Sequence, residues 1–129
     1  MAKVRFSSED RLQSARGLLQ TAEQILGLRD HPHLKEVEVQ SAGIISYLNP
    51  RFDTIMVWVE IIREGALFAS IVDLDQLNVC IRNLHSSFAE LVNNAPEQVA
   101  HNRKQLLESI TAKCELAELW VHKLIPSYI

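Results

Sequence analysis

The stretch DTIMVWVEIIREGALFASIV, residues 53–72, decides the fold class. Its opening run, Ile55 to Val59, is apolar and mostly β-branched, and a run this short does not by itself separate strand from helix. Two facts favour helix. No other segment alternates with period two to pair with it, and a lone strand leaves its backbone N–H and C=O groups unsatisfied. Capped by Asp53 or Thr54, the helix carries Trp58, Ile62, Gly65, Ala66 and Ala69 on one side. Asp53, Glu60, Arg63, Glu64 and Ser70 occupy about a third of the circumference opposite. A helix apolar over most of its surface belongs in the middle of a bundle. There Gly65, Ala66 and Ala69 allow one neighbour to approach closely and resist enlargement.

Upstream, Ser7 and Asp10 have the spacing of a capping box, and Leu12, Ala15, Leu19, Ala22 and Leu26 recur at three- and four-residue intervals up to Gly27. This predicts a helix over 8–28. Pro32 suits the first position of a second helix, 32–49, with the stripe Leu34, Val37, Ser41, Ile44, Ile45 and Leu48, closed by Asn49 and Pro50. Downstream, Asp73 or Asp75 caps a helix over 74–93, on which Leu77, Ile81, Leu84, Phe88 and Leu91 share one face. Pro96 opens the last helix, 96–125, with Val99, Leu106, Ile110, Ala117, Val121 and Leu124 on one face. That helix would be about 43 Å long against about 30 Å for its neighbours, so one end should overhang or pack on something else. Short connections favour antiparallel neighbours. The expected fold is all-α: one domain over residues 1–129, an up-and-down bundle of about five helices with the apolar third helix at its centre.

Composition narrows the function. With 129 residues, 47% hydrophobic and 22% charged, and only four Gly and four Pro, the chain has the make-up of an ordinary globular domain. Its 16 acidic and 13 basic side chains give a net charge of -3 and form no run of like charge. This argues against nucleic acid or an anionic bilayer as main partner. Glu60, Arg63 and Glu64 interrupt the richest apolar stretch, far short of the roughly 20 residues that a membrane span requires. Lys3 and Arg5 precede no apolar segment, so no secretory signal is read, and a cytoplasmic protein is expected. Cys80 and Cys114 fall at or beside apolar stripes, as packing thiols do in a reducing compartment.

The charges within the apolar third helix are the first candidates for chemistry, because a buried charge must be paired, exposed or functional. Glu60 and Glu64 lie one turn apart and could share a divalent cation, with Asp73 and Asp75 following at the next helix start. On this reading the chain would be a metal-dependent hydrolase. The plainer reading is a solvent stripe with Arg63 between two carboxylates. His31 and His33 flank Pro32, while Glu97 with His101 and Glu118 with His122 are four apart. Each such pair offers two ligands at most, which does not complete a metal site. Ser86 and Ser87 follow His85, but neighbours on a helix point about 100° apart and no glycine-framed turn presents either hydroxyl. Gly17, Gly27, Gly43 and Gly65 are isolated and form no phosphate loop. No catalytic residue, metal site or cofactor is assigned, and a non-enzymatic role is the stronger reading.

The remaining candidate is a contact surface. After Lys113 the apolar arc of the last helix widens, adding Leu116, Leu119 and Trp120 and then Ile125, Tyr128 and Ile129. Aromatic residues on such a patch anchor protein interfaces. The competing reading covers this end with the N-terminal arm, where Val4 and Phe6 need partners of their own. Val39 and Val79 also lie off their apolar stripes. The expected function is a small protein-binding or regulatory module, an adaptor or inhibitor. Its partner would be another protein or a second copy of the chain.

Overall fold

Gly43, with φ at 91°, divides the first half of the chain. The left-handed region is open to glycine at no steric cost, so the turn falls here rather than at Pro50. The computed structural model describes residues 8–125. It contains six α-helices: α1 (Ser8–Gly27), α2 (Pro32–Gln40), α3 (Ile44–Gly65), α4 (Ile71–Asn93), α5 (Pro96–His101) and α6 (Arg103–His122). Short 3-10 turns, Leu28–Asp30 and Ala66–Phe68, follow α1 and α3. The all-α bundle expected from periodicity is the fold observed. Among the described residues there is no strand, and no helix is long and apolar enough to cross a membrane.

Several boundaries differ from those read off the sequence. Pro50 was expected to end the second helix but lies inside α3. A proline there removes the N–H that would bond to the carbonyl one turn back. The Arg51 guanidinium donates to the adjacent Tyr47 carbonyl at 2.7 Å, giving that turn of the helix a polar partner. Asp53 and Thr54 are therefore not caps. The start of α3 is held instead by the Glu38 carboxylate, which accepts from the Gly43 N–H at 2.8 Å and from the Ile45 N–H at 3.3 Å. A carboxylate suits the positive end of a helix.

Residues 53–72 are likewise not one helix. They comprise most of α3, the turn Ala66–Phe68 and the start of α4, whose cap is Ser70 rather than Asp73 or Asp75. Its Oγ accepts from the Asp73 N–H at 3.0 Å. The last predicted helix breaks at Asn102, so α6 has the same 20-residue length as α1, and the remaining piece, α5, packs on α2. The capping box expected at Ser7 lies outside the described residues.

The polar contacts fix the directions of the four long helices. Glu23 bonds to Arg63 and Arg29 to Asp53, so α1 and α3 are antiparallel. Arg11 Nε donates to the Ala69 carbonyl at the start of α4, and His33 Nε2, just beyond α1, lies 2.7 Å from the Asn94 carbonyl at its end. The two helices α1 and α4 thus run parallel. Ser87 meets Ser109 and Lys113, and Arg103 meets Ser41, completing an up-down-up-down order through α1, α3, α4 and α6. In cross-section α1 packs along α3 and α4, while α6 packs along α4 and α3. The diagonal between α3 and α4 is bridged inside by Phe52 and Phe88, with ring centroids 5.2 Å apart. Short α2 and α5 pack on each other at one end.

All four long helices line a single core, in which Trp58, Phe52, Phe88, Ile55, Ile62, Leu77 and Ile81 are almost completely buried. Each such side chain contributes about 1.5–3 kcal/mol relative to exposure. The third helix is thus one wall of the core and is not enclosed by the others: Met56 and Val57 face solvent, as do Leu67 and Phe68 in the following turn. The close approach expected at Gly65 is real, and its partner is the backbone of Leu124 just beyond α6.

Candidate functional site

Two surfaces are built on α6, its outer face and a cleft against α3. The core side of α6 presents Leu106, Ile110, Ala117 and Val121. At 100° per residue, Leu116, Leu119 and Lys123 fall away from that side. Leu116 is 50% and Leu119 64% exposed, and Ile125 beyond the helix is 41% exposed. Trp120 lies between the two faces. It is half-buried against the core, and Lys123 Nζ sits 4.1 Å from the centre of its ring. Because Ser87 faces Ser109 and Lys113 across the antiparallel pair, exposed Val79 of α4 stands level with Leu119. Of the residues expected at an interface, Leu116, Leu119 and Ile125 are at the surface and Trp120 is shared with the core. Tyr128, Val4 and Phe6 lie outside the described residues. Val39 on α2 is exposed as well, far from this face.

The second surface is a cleft between the parallel helices α3 and α6. At one level the Tyr47 hydroxyl donates to the Leu107 carbonyl at 3.0 Å and meets the Thr111 hydroxyl. The Arg51 guanidinium stacks 3.6 Å from the centre of the Tyr47 ring and reaches Thr111 Oγ1 at 3.5 Å. At the other level Gly65 meets Leu124. Two adjoining hollows, about 490 and 460 Å³, open along α6 and share Thr111 and Glu115. Tyr47, Leu107 and Ala112 line the first beneath Arg103, Lys104 and Glu108. Pro50, Thr54, Cys114 and Glu118 line the second. Burial pushes the Cys114 thiol up to about 11, against the pull of Arg51 and reinforced by Glu118 and Glu115. It stays protonated at neutral pH and is no nucleophile. Cys80 is also a free thiol raised by burial.

The charged stripe of α3 is an ion-pair network at the surface. Arg63 donates to Glu60 at 2.8 Å and to Glu23 of α1 at 3.3 Å. Arg63 does lie between two carboxylates, but the second belongs to α1 and not to Glu64. Among the described residues no group of three or more His, Cys, Asp or Glu side chains is placed to hold a metal ion. His31 and His122 serve local structure. His31 caps α2 by accepting from the His33 N–H at 3.1 Å, and His122 pairs with Glu118 at 3.4 Å.

One polar cluster was not legible in the sequence. Lys113 Nζ donates to Ser87 Oγ at 2.6 Å, and Ser109 Oγ lies 3.3 Å from the same atom, so residues 26 and 22 apart in sequence converge between α4 and α6. A serine beside a lysine can act as nucleophile and base. Here Ser87 is 3% exposed in mid-helix, so a substrate cannot reach its Oγ, and the cluster is a polar clasp. The cleft residues Tyr47, Arg51 and Thr111 were equally invisible, because Tyr47 stands off the stripe of one predicted helix, Arg51 falls in the break expected after it, and Thr111 is on another helix. Compared with protein-family models, curated proteins and solved structures, the chain matches none.

Proposed function

We propose that the protein is a non-enzymatic, cytoplasmic protein-binding module, an adaptor or regulator, that docks through the outer face of α6. The observation that carries this reading is the exposure of Leu116 and Leu119 on adjacent turns of a helix that is anchored to the core on its other side. Exposed aliphatic surface costs about 25 cal/mol for each Å² left in water, and a rigid helix presents it without an ordering cost on binding. Trp120 and Ile125 at the margin add the aromatic and aliphatic area typical of interface anchors. Free Cys80 and Cys114 accord with a reducing compartment. The alternative, a metal-dependent hydrolase centred on Glu60, takes second place because Arg63 already occupies that carboxylate.

The test is the double variant Leu116→Glu, Leu119→Glu. Both positions are exposed, so the circular dichroism spectrum and melting temperature should stay near those of the wild type. Proteins captured from the native host by the wild type should be lost by the variant. If a second copy is the partner, light scattering should show the mass of the wild type falling to that of one chain. Unchanged capture together with unchanged mass would sink the proposal. Trp120→Glu is a poorer probe, since its half-buried ring also supports the core.

A further inference from the structure

The cleft between α3 and α6 is distinct from the outer face of α6, and three features define what it can accept. The first is shape. The joined hollows follow α6 from Arg103 to Glu118, a length of about 22 Å at 1.5 Å per residue, which suits a helix of about four turns.

The second is the floor. The Tyr47 ring, Leu107, Ala112 and Pro50 supply apolar contact, while the Tyr47 hydroxyl, Thr111 and Arg51 already bond to one another or to backbone. An apolar stripe can therefore cover the floor without stranding polar groups.

The third is charge. Glu108 and Glu115 are seven residues apart, so both lie on one side of α6, and Glu118 continues the row. Glu108 and Glu115 are exposed, and among the described residues neither is in an ion pair. The cation on the α3 side, Arg51, is turned to the Tyr47 carbonyl. The start of α6 is basic: Arg103 is held by Ser41 and Ala42, and Lys104 is exposed.

We propose that this cleft binds an amphipathic helix of a partner protein, its apolar stripe flanked by lysine or arginine at seven-residue spacing, lying antiparallel to α6. Basic side chains then face Glu108, Glu115 and Glu118, as flanking charges do in paired helices. The negative end of the partner helix falls against Lys104 and Arg103. This goes beyond the proposed function in assigning a second surface and the chemistry of its occupant.

The experiment uses the full chain, labelled with ¹⁵N, and two synthetic 15-residue amphipathic peptides, one of leucine and lysine and one of leucine and glutamate. The lysine peptide should move the amide signals of Tyr47, Thr54, Thr111, Cys114 and Glu115. A spin label at its C-terminus should broaden Lys104. Glu108→Lys with Glu115→Lys, both at exposed positions, should weaken binding by about tenfold or more, while Leu119→Glu leaves it unchanged. Equal binding of the glutamate peptide, or undiminished affinity of the charge-reversed variant, would overturn the proposal. Signals that move at Leu116 and Leu119 instead would also overturn it, while leaving the outer face of α6 as a binding surface.

Discussion

At Gly65 a methyl group has no room. A Cβ there would run into the Leu124 carbonyl oxygen and stand 3.2 Å from its carbonyl carbon, and a backbone cannot step aside as a flexible side chain can. Gly65→Ala should cost about 1–3 kcal/mol by overpacking, read from denaturant unfolding. At Gly17, exposed in the middle of α1, a Cβ meets nothing within 4 Å. The same substitution there should raise stability by about 0.5–1 kcal/mol through helix propensity. A Gly65→Ala variant as stable as the wild type would refute the assignment of Gly65 to a close approach. A second prediction at this scale concerns Cys114. Its thiol titrates near 9.0 ordinarily and near 11 in the fold, so the folded state holds the proton more tightly than the unfolded chain. That contribution is complete below pH 9 and is lost as the pH rises through 11. Melting temperatures should therefore fall more steeply between pH 9 and 11 for the wild type than for Cys114→Ala, and equal slopes would contradict the burial argument.

At the scale of the element, the start of α3 is the informative place. Glu38 reaches across the turn at Ser41–Gly43 to the Gly43 and Ile45 N–H groups, capping a helix with a residue from the preceding one. Glu38→Ala should lower stability by about 1 kcal/mol, the worth of a helix cap, as measured by urea unfolding. Removing one surface ion pair, as in Glu23→Gln, should cost less, about 0.2–1 kcal/mol, because both partners remain largely solvated. This element is also only partly legible in the sequence. The apolar stripe from Ile44 to Leu48 was legible, yet the break was placed at Pro50 because proline disfavours helix on local grounds. In the fold, Gly43 takes the turn, Pro50 lies within α3, and Arg51 adds a side-chain bond to the Tyr47 carbonyl beside it, none of which is encoded in periodicity. In the same way α4 displays its face clearly, Leu77 to Leu91, while its start passes to Ser70 because the turn after α3 consumes residues that looked helical.

At the scale of the whole molecule, the four long helices close a core between them, and both proposed binding surfaces lie on what that closure leaves outside. Addition of Mg²⁺, Mn²⁺ or Zn²⁺ should leave the melting temperature unchanged, since Arg63 places a cation against Glu60 and Glu23. A shift of several degrees that Glu60→Gln abolishes would revive the metal reading. What the sequence by itself determined is local: an all-α chain, the stripes that face the core, the small residue at Gly65, and the aliphatic residues of α6 that no stripe absorbs. These follow from a 3.6-residue period and the size of side chains, which any short window of sequence contains. Only the tertiary structure decided that Arg63 pairs with Glu23, that Ser87 meets Lys113, and that Tyr47, Arg51 and Thr111 join in one cleft. Each of these depends on which helix lies beside which, and that choice comes from packing four faces together around Trp58, Phe52 and Phe88 rather than from any pattern along the chain.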